Sequence, residues 1–318
     1  MMKRTILYFT LLFSLAGCKD EAQVNTIPKV DVSFGSMTDD RDLKVYKTIK
    51  IADQEWMAEN LQYRLPNGSM DGCYSFTEET INSSKLVVDK ANFMDSVNAA
   101  VARKEIVNPP DLPAAQRPTV IISLNMKLMS PKQLIERLTP YPSVVKVLNR
   151  IHDNLLIPAA LSQAKINYQK AEKDNGGYAA AYGLLYTFEA AQNVAPNGWR
   201  LPTDEDWMKL EAALGVPAEQ LNQLEEWRGQ QANYLQVGHP ESLGFDAKLG
   251  GGRVYGTFLY GTPFINKEVN GYYWTSTKHI GTDSTEYGIT RNFMRGQLGI
   301  WRGTAKKSAA YHIKCIKN

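Results

Sequence analysis

The feature that most constrains the fold is a change of hydrophobic pattern along the chain. From Thr77 to Asn175, apolar residues recur at helical spacing, as at Phe93, Val97 and Val101. On either side the sequence alternates, as in residues 43–51, or forms short apolar runs with aromatic residues and glycines, which indicates short strands. The pattern therefore predicts an α+β protein in which a mostly helical insertion interrupts a β-rich part.

The first residues have the three regions of a bacterial lipoprotein signal peptide. Lys3 and Arg4 give a positive start, residues 6–15 form an apolar run, and small residues precede Cys18. The apolar run is about half the ~20 residues that a membrane-spanning helix needs, so cleavage is expected. Residues 1–17 are thus predicted to be a signal peptide. Leu15-Ala16-Gly17-Cys18 resembles a lipobox, which implies that lipid on Cys18 anchors the chain. The alternative is an ordinary secreted protein with a free cysteine near its cleavage site.

The residues after Cys18 carry information on localisation. Lys19, Asp20 and Glu21 resemble the charged surface-export signal of lipoproteins in Bacteroides-type bacteria, although any soluble tether would also be polar here. The resemblance implies an outer-membrane protein that faces the cell exterior and has outer-membrane lipid as a partner. Residues 18–36 have no hydrophobic period and contain proline and glycine, so they are predicted to form a flexible, lipidated tether.

Charge and cysteine content narrow the possible partners and the redox state. The net charge is +3 without a long basic run, so the sequence gives no indication of nucleic-acid binding. The hydrophobic fraction of 43% is typical of a globular protein. Lipidation of Cys18 would leave Cys73 and Cys315 in an oxidising compartment, where they are expected to pair. That disulfide would close most of the chain into one loop and stabilise it by at most about 5 kcal/mol.

Two acidic clusters are candidates for metal sites. The carboxylates at residues 39–42 lack the spacing of an EF-hand, so a solvated turn is favoured over a calcium loop. Those at residues 204–206 follow Thr203 at the start of a predicted helix, where capping and the helix dipole account for all of them. The four histidines lie far apart without metal-ligand spacing. Neither a metal site nor a cofactor is predicted.

Several blocks of sequence resemble the Fibrobacter succinogenes major paralogous domain family, in the family's order. The blocks are Tyr46–Ile51, Gln54–Leu61, Gly183–Ala191, Pro196–Thr203, Leu243–Phe245, Tyr273–Thr277 and Ile313–Lys317. The resemblance covers residues 37–76 and 177–318 and implies a C-type-lectin-like fold. Its two parts would be residues 37–76 and 176–318, separated by the helical insertion at residues 77–175.

The sequence departs from the family pattern at two further places. The family usually has a cysteine before the Gly183 block and another before Pro196; the first is absent here and Ala195 occupies the second position. Their loss implies that one family disulfide is missing and leaves Cys73 with Cys315 as the other. The tripeptides with which calcium-dependent lectins hold sugar are also absent, since Ala195-Pro196-Asn197 lacks the acidic ligand.

The sequence does not favour an enzyme. The Trp199–Thr203 block also resembles formylglycine-generating enzymes, but their chemistry needs reactive thiols, and a disulfide already accounts for the two remaining cysteines. Gly250–Gly252 lacks the lysine and hydroxyl residue of a phosphate loop, and no serine lies in a Gly-x-Ser-x-Gly elbow. The chain is therefore predicted to be non-catalytic, although sites assembled across distant strands leave no local signal.

Two binding hypotheses follow. In the first, the lectin-like part binds an extracellular glycan or another surface ligand through its variable-loop face, by aromatic stacking and hydrogen bonds. The candidate residues are Tyr255, Tyr260, Arg291, Arg295, Trp301 and Arg302. Tyr273 and Trp274 are expected to be core instead. In the second, the helical insertion docks onto another surface protein, such as a nutrient importer; an exposed apolar stripe on its helices would favour this.

Overall fold

The computed structural model of the protein describes residues 29–79, 86, 88–106, 130–140, 142–254 and 263–318. Helices and antiparallel sheets are both present, which confirms the α+β class. Four of the predicted features lie outside the described residues. They are the signal peptide, the lipidated Cys18, and the candidate ligand-binding residues Tyr255 and Tyr260.

The strands of the described residues form three sheets. Their bounds are β1 (Val32–Thr38), β2 (Val45–Ile51), β3 (Gln54–Met57), β4 (Cys73–Tyr74), β5 (Leu185–Thr187), β6 (Trp199–Arg200), β7 (Glu226–Arg228), β8 (Gly252–Arg253), β9 (Phe264–Ile265), β10 (Asn270–Ile280), β11 (Glu286–Met294), β12 (Ile300–Lys306), β13 (Ala310–Tyr311) and β14 (Ile316–Lys317). The strand orders are β1-β2-β3-β14-β6, β10-β11-β12-β7 and β4-β5-β13-β8-β9. Two sheets thus join strands from before and after the helical insertion, and we call this assembly the β-rich unit.

The helices of the described residues fall into two groups, those of the insertion and those of the β-rich unit. Their bounds are α1 (Lys90–Ala102), α2 (Pro131–Arg137), α3 (Pro142–Asp174), α4 (Tyr178–Tyr182), α5 (Phe188–Asn193), α6 (Asp204–Ala213), α7 (Ala218–Leu221) and α8 (Ala232–Leu235). None of these helices is long and apolar enough to span a membrane, within the part of the chain that the structure describes.

Helix α3 belongs to both halves of the molecule. In its first half, Val144, Leu148 and Ile151 are buried in a cluster with Phe93 and Val97 of α1. The stripe of apolar residues recurs every three to four positions, so one face of the helix covers one core. The predicted helical insertion therefore has a hydrophobic core of its own.

The second half of α3 packs onto the β-rich unit. The Arg64 guanidinium lies 3.9 Å above the ring centre of Tyr168, and Ala164 and Ala171 are buried. Asn175 Nδ2 donates to the Phe76 carbonyl at 3.0 Å. The boundary predicted at residue 175 consequently lies too far along the chain, because helical periodicity marks a helix but not the partner against which each of its turns packs.

Strand β1 begins at Val32, inside the segment that was predicted to be a flexible tether through residue 36. Strand β1 pairs with β2 from Val32 opposite Ile51 to Thr38 opposite Val45. β1 lies at the edge of its sheet and most of its side chains are exposed, so its sequence does not alternate in hydrophobicity. Backbone hydrogen bonding to β2 forms this strand and leaves no hydrophobic period in the sequence.

Two aromatic clusters form the core of the β-rich unit. In the first, Trp274 packs on Tyr311, with ring centres 4.7 Å apart. In the second, Trp56 packs on Trp207 at 5.1 Å, and Tyr273 lies in the same cluster. Tyr273 and Trp274 are both fully buried, which confirms that these two residues of the family motif are core. Neighbouring residues of one strand thus serve different cores, because successive side chains point to opposite faces.

The predicted disulfide is not formed in the structure. Cys73 and Cys315 are free, fully buried thiols. Cys73 lies on β4 of one sheet, and Cys315 precedes β14 of another. Burial and the two nearby thiols raise the pKa of Tyr186 well above its ordinary value. Burial raises the pKa of each thiol to about 12, so neither is a thiolate at neutral pH.

Candidate functional site

Arg291, a candidate ligand-binding residue, is fully buried in an ion-pair network and is not available to a ligand. Its Nε donates to Glu211 Oε1 at 2.6 Å, and its Nη1 lies 2.8 Å from Asp204 Oδ1. Arg228 Nη2 donates to the other oxygen of Glu211, also at 2.6 Å, and both of these side chains are fully buried. Burial lowers the pKa of Arg228 to about 10 in spite of that partner. Arg291 is therefore a structural residue.

Arg302 is also engaged inside the protein. Its Nε donates to Asp204 Oδ1 at 3.0 Å and its Nη1 to the Asn222 carbonyl at 3.0 Å, and its side chain is only 11% exposed. Burial alone would raise the pKa of Asp204, but the hydrogen bonds and charges of Arg302 and Arg291 lower it below its ordinary value. Arg291 and Arg302 were predicted to donate hydrogen bonds to a ligand. In the structure they neutralise buried carboxylates instead.

The acidic cluster at the start of α6 has two separate explanations. Thr203 caps the helix: its Oγ1 accepts from the Asp206 N–H at 3.1 Å, and the Thr203 N–H donates to Asp206 Oδ2 at 2.7 Å. This confirms the predicted cap and accounts for Asp206. Capping does not account for Asp204, whose role is to pair with Arg291 and Arg302.

The acidic turn at residues 39–42 is held by partners within the chain. Asp39 pairs with Arg41 at 2.6 Å, and Asp40 accepts from Asn197 Nδ2 at 2.8 Å. Nowhere in the described residues do three histidine, cysteine or acidic side chains come together in a way that could hold a metal ion.

One face of the sheet β10-β11-β12-β7, which we call the outer face, buries Trp274 and also carries a row of side chains that crosses all four strands. Tyr272 lies opposite Asn292, Asn292 opposite Trp301, and Trp301 opposite Trp227. Cross-strand partners share a face of the sheet, and four strands span about 14 Å between the outermost two. All four side chains are partly exposed. We call this set the aromatic row.

The two tryptophans of the aromatic row form a corner. Their ring centres are 5.4 Å apart and the ring planes are inclined at 63°. The Trp301 indole lies over Gly303, where a Cβ atom would be 2.2 Å from Nε1. On the other side, Gly299 leaves room for Trp227, because a Cβ there would be 3.2 Å from the Trp227 Cβ. Two glycines on β12 and next to it thus allow both indoles to lie on the sheet.

The other end of the aromatic row is more enclosed. The Tyr272 ring stacks on Tyr311 with centres 4.9 Å apart, and its hydroxyl accepts from Asn266 Nδ2 at 2.7 Å. Asn292, in the middle, has a buried Oδ1 without a hydrogen-bond partner in the described part of the chain. A ligand lying on the row would meet the exposed parts of three aromatic rings, whereas the buried Oδ1 of Asn292 is not accessible to it.

Of the six candidate residues, only Trp301 lies in the aromatic row. Arg295 is exposed on the turn after β11. Tyr255 and Tyr260 lie between β8 and β9, outside the described residues. The sequence analysis missed Trp227, Asn292 and Tyr272. Strand β7 has only three residues, so the pairing that unites Trp227 with Trp301 has no local signal.

Two other buried titratable residues lie away from the row. Burial lowers the pKa of His312 to about 3, although its Nδ1 contacts the Leu184 carbonyl at 3.2 Å. Burial also lowers the pKa of Lys314 to about 7, and its Nζ donates to the carbonyls of Ala58 and Phe245. Both side chains are fully buried and join chain segments that are distant in sequence. We regard both as structural.

The comparison with known families adds the evolutionary context. Residues 150–317, more than half of the chain, match the Fibrobacter succinogenes major domain. The chain belongs to this family. The family match begins inside α3, which agrees with the packing of the second half of α3 onto the β-rich unit. All four members of the aromatic row lie within the Fibrobacter succinogenes major domain. Neither the curated proteins nor the solved structures gave a match to the chain.

Proposed function

We propose that this protein is a lipid-anchored outer-membrane protein that binds extracellular glycan, without catalysis, through the aromatic row. The observation that carries the proposal is the alignment of Tyr272, Asn292, Trp301 and Trp227 on one face of the sheet, where all four side chains are partly exposed. Aromatic rings offer apolar surface to the C–H face of a sugar at a low cost in conformational entropy, and an amide can form hydrogen bonds with the hydroxyls of the sugar. The proposed C-type-lectin-like fold supports the same function, but by analogy only.

The location follows from the N-terminal sequence. The apolar run before Cys18 and the charged residues after it support export, lipidation and display on the outer face. Only residues 19–31 separate Cys18 from β1. Such a linker reaches at most about 45 Å when fully extended, so the folded part would stay close to the membrane and meet ligands at the cell surface.

The state of the reactive side chains supports a non-catalytic role. Thiol-dependent oxidation needs a thiolate, and the buried Cys73 and Cys315 have a pKa of about 12. The buried carboxylates Asp204 and Glu211 are each occupied by arginines. The carboxylates and arginines pair with one another inside the fold and do not point toward the aromatic row.

The second hypothesis, docking through the helical insertion, has less support. The apolar stripe of α3 that the sequence revealed is buried in the insertion's own core. The exposed apolar residues of α3 include Ile157 and Ile166, which are 58% and 53% exposed. At roughly 100° per residue, these two point to opposite sides of the helix. They therefore do not form one apolar surface for a partner.

The test is glycan binding by a soluble fragment that starts at Lys19, so that Cys18 is removed and β1 stays intact. It is screened on a glycan array with and without calcium, together with the Trp301→Ala and Trp227→Ala variants. The matched control is Phe34→Ala, since Phe34 is a 72% exposed aromatic residue on β1, outside the row. We expect selective binding that falls by about tenfold or more in both tryptophan variants, equivalent to about 1.4 kcal/mol, and is unchanged in the control.

Two results would contradict the proposal. One is the absence of glycan binding under all conditions, and the other is undiminished binding by Trp301→Ala. A pull-down from outer membranes, repeated with Ile157→Asp on α3, then tests the alternative, in which the insertion captures a protein partner.

A further inference from the structure

Glu225 is held in an unusual conformation beside the aromatic row. Its φ of +58° lies in the left-handed region, which residues other than glycine rarely adopt. Its N–H donates to the Arg302 carbonyl at 2.7 Å. Its carboxylate Oε1 accepts from the Thr304 N–H at 2.8 Å and from Thr304 Oγ1 at 2.7 Å. The side chain is exposed, yet two hydrogen bonds, both from Thr304, fix the position of its carboxylate. A strained residue that is held this firmly is a reason to ask for a function.

The second carboxylate oxygen of Glu225 points toward the tryptophan corner. A Cβ atom on Gly303 would be 3.0 Å from Glu225 Oε2 and 2.2 Å from Trp301 Nε1. The carboxylate oxygen and the indole therefore flank the same backbone position. Oε1 is occupied by Thr304, whereas Oε2 has no hydrogen bond from the residues that the structure describes. A hydroxyl group of a sugar stacked on Trp301 would be within reach of this acceptor.

The charge at this end of the aromatic row is negative. Arg302 is paired with Asp204, and Arg228 is paired with Glu211, so the arginines of β12 and β7 point into the protein. Glu225 is exposed beside the row, whereas the exposed Glu226 lies opposite Arg302 and therefore on the other face of the sheet. A carboxylate accepts a strong hydrogen bond from a hydroxyl group, and it repels a second anion. The surface thus combines attraction for hydroxyls with repulsion of acidic groups.

We propose that Glu225 is a specificity-determining residue of the aromatic row, which accepts a hydroxyl of a neutral sugar stacked on Trp301 and disfavours sugars that carry a carboxylate or sulfate. This inference rests on the glycan-binding function proposed above. It identifies the ligand class as neutral oligosaccharide. The internal pairing of Arg291 and Arg302 leaves neither of these cations free to attract an acidic ligand.

The test compares probes that differ only in charge. They are tetramers of β-1,4-linked glucose and mannose and their C6-oxidised forms, tetraglucuronate and tetramannuronate, titrated into the Lys19 fragment by calorimetry. The wild-type protein should bind the better neutral tetramer at least about tenfold more tightly than its oxidised form. The difference in affinity between the neutral and the oxidised tetramer should become smaller when NaCl is raised from 0.05 to 0.5 M, because salt screens exposed charges.

The matched variants are Glu225→Gln and Glu226→Gln, which remove the same charge at neighbouring positions. Glu225→Gln should weaken neutral binding by about tenfold and reduce the discrimination to about threefold or less, whereas Glu226→Gln should change either by less than about twofold. Thr304→Val is a second variant, because it removes one of the bonds that position Glu225 and keeps the charge. It should weaken neutral binding by about threefold and leave the discrimination against oxidised sugars intact. Thermal unfolding confirms that each variant is folded.

The outcomes separate this inference from the function on which it rests. If Trp301→Ala abolishes binding but the two glutamine variants behave alike, the aromatic row binds glycan and Glu225 has no special role. Equal binding of neutral and oxidised tetramers, tighter binding of the oxidised ones, or no binding of the neutral ones would also overturn the inference. If Trp301→Ala binds as the wild type does, the proposed function itself is wrong.

Discussion

The two faces of the sheet β10-β11-β12-β7 differ in what their polar and aromatic side chains contact. On the inner face, Arg228, Arg291 and Arg302 neutralise Asp204 and Glu211 beneath helix α6. On the outer face, the aromatic row is partly exposed. Adjacent residues of one strand, such as Arg291 and Asn292, therefore belong to different environments, because side chains alternate across a sheet. The inner face combines these ion pairs with the buried Tyr273 and Phe293, whereas the outer face buries Trp274 and leaves the aromatic row partly exposed.

This contrast shows why residue type alone does not identify a binding surface. A buried ion pair contributes little net stability compared with apolar packing, but removal of one partner leaves an uncompensated charge. The inner network is thus expected to be sensitive to single substitutions. The two tryptophans of the aromatic row are partly exposed, and their substitution should affect binding more than stability. The predictions below test this difference, beginning with the largest expected effect.

Glu211→Gln should destabilise the protein by about 3 to 5 kcal/mol, because it removes the buried negative charge that pairs with both Arg228 and Arg291. The measurement is chemical unfolding of the Lys19 fragment at pH 7. Glu226→Gln removes a carboxylate from the exposed surface of β7 and should cost no more than about 0.5 kcal/mol. Similar losses in the two variants would show that the inner network is not the more sensitive face.

Asp204 should give the inner face a dependence on acid. Its folded-state pKa lies below the ordinary value, so its contribution to stability is complete above about pH 4 and is lost as the pH falls through the folded-state pKa. Asp204→Asn should therefore lower stability by about 1 to 3 kcal/mol at neutral pH. The difference from wild type should shrink in strongly acidic solution. Unfolding curves between pH 2 and 7 measure this, and a constant difference throughout that range would contradict it.

The sequence was sufficient for features that depend on local pattern. The alternation of residues 43–51 predicted β2, and Thr203 with its downstream carboxylates predicted the cap of α6. The family blocks placed Tyr273 and Trp274 in the core. Each of these predictions rests on a spacing or a motif within about ten residues, a range in which the periodicity of a helix or a strand is visible in the sequence.

Features that depend on distant pairing could not be predicted. β1 forms by backbone bonding at a sheet edge, which its exposed side chains do not signal. Arg291 and Arg302 have the same residue type whether they meet a ligand or Asp204, and only the fold brings Asp204 to them. The aromatic row exists because β7 joins β12, although β7 has only three residues. The sequence likewise predicted a disulfide between Cys73 and Cys315, which are free thiols in the structure.

Gly303→Ala tests the outer face without removing an aromatic residue. The new methyl group would be 2.2 Å from Trp301 Nε1, so the indole must move away from the sheet. We expect a loss of about 1 to 2 kcal/mol in stability from the local crowding, and loss of glycan binding by about tenfold or more. Gly299→Ala is a milder control, since its Cβ would meet Trp227 at 3.2 Å. Equal binding by the Gly303 variant and wild type would show that the Trp301 position is unimportant.

The smallest expected effect is the energetic coupling between the two tryptophans. Their inclined contact, with centres 5.4 Å apart, should contribute about 0.5 to 1.5 kcal/mol beyond buried area. A double-mutant cycle of Trp227→Ala and Trp301→Ala, followed by chemical unfolding, isolates this term. The coupling should be well below the effect of Glu211→Gln, because the indoles are partly exposed and their surroundings can relax. If the coupling instead equalled or exceeded the loss in Glu211→Gln, the outer row would be part of the stabilising core, and its aromatic residues would need no ligand to account for their alignment.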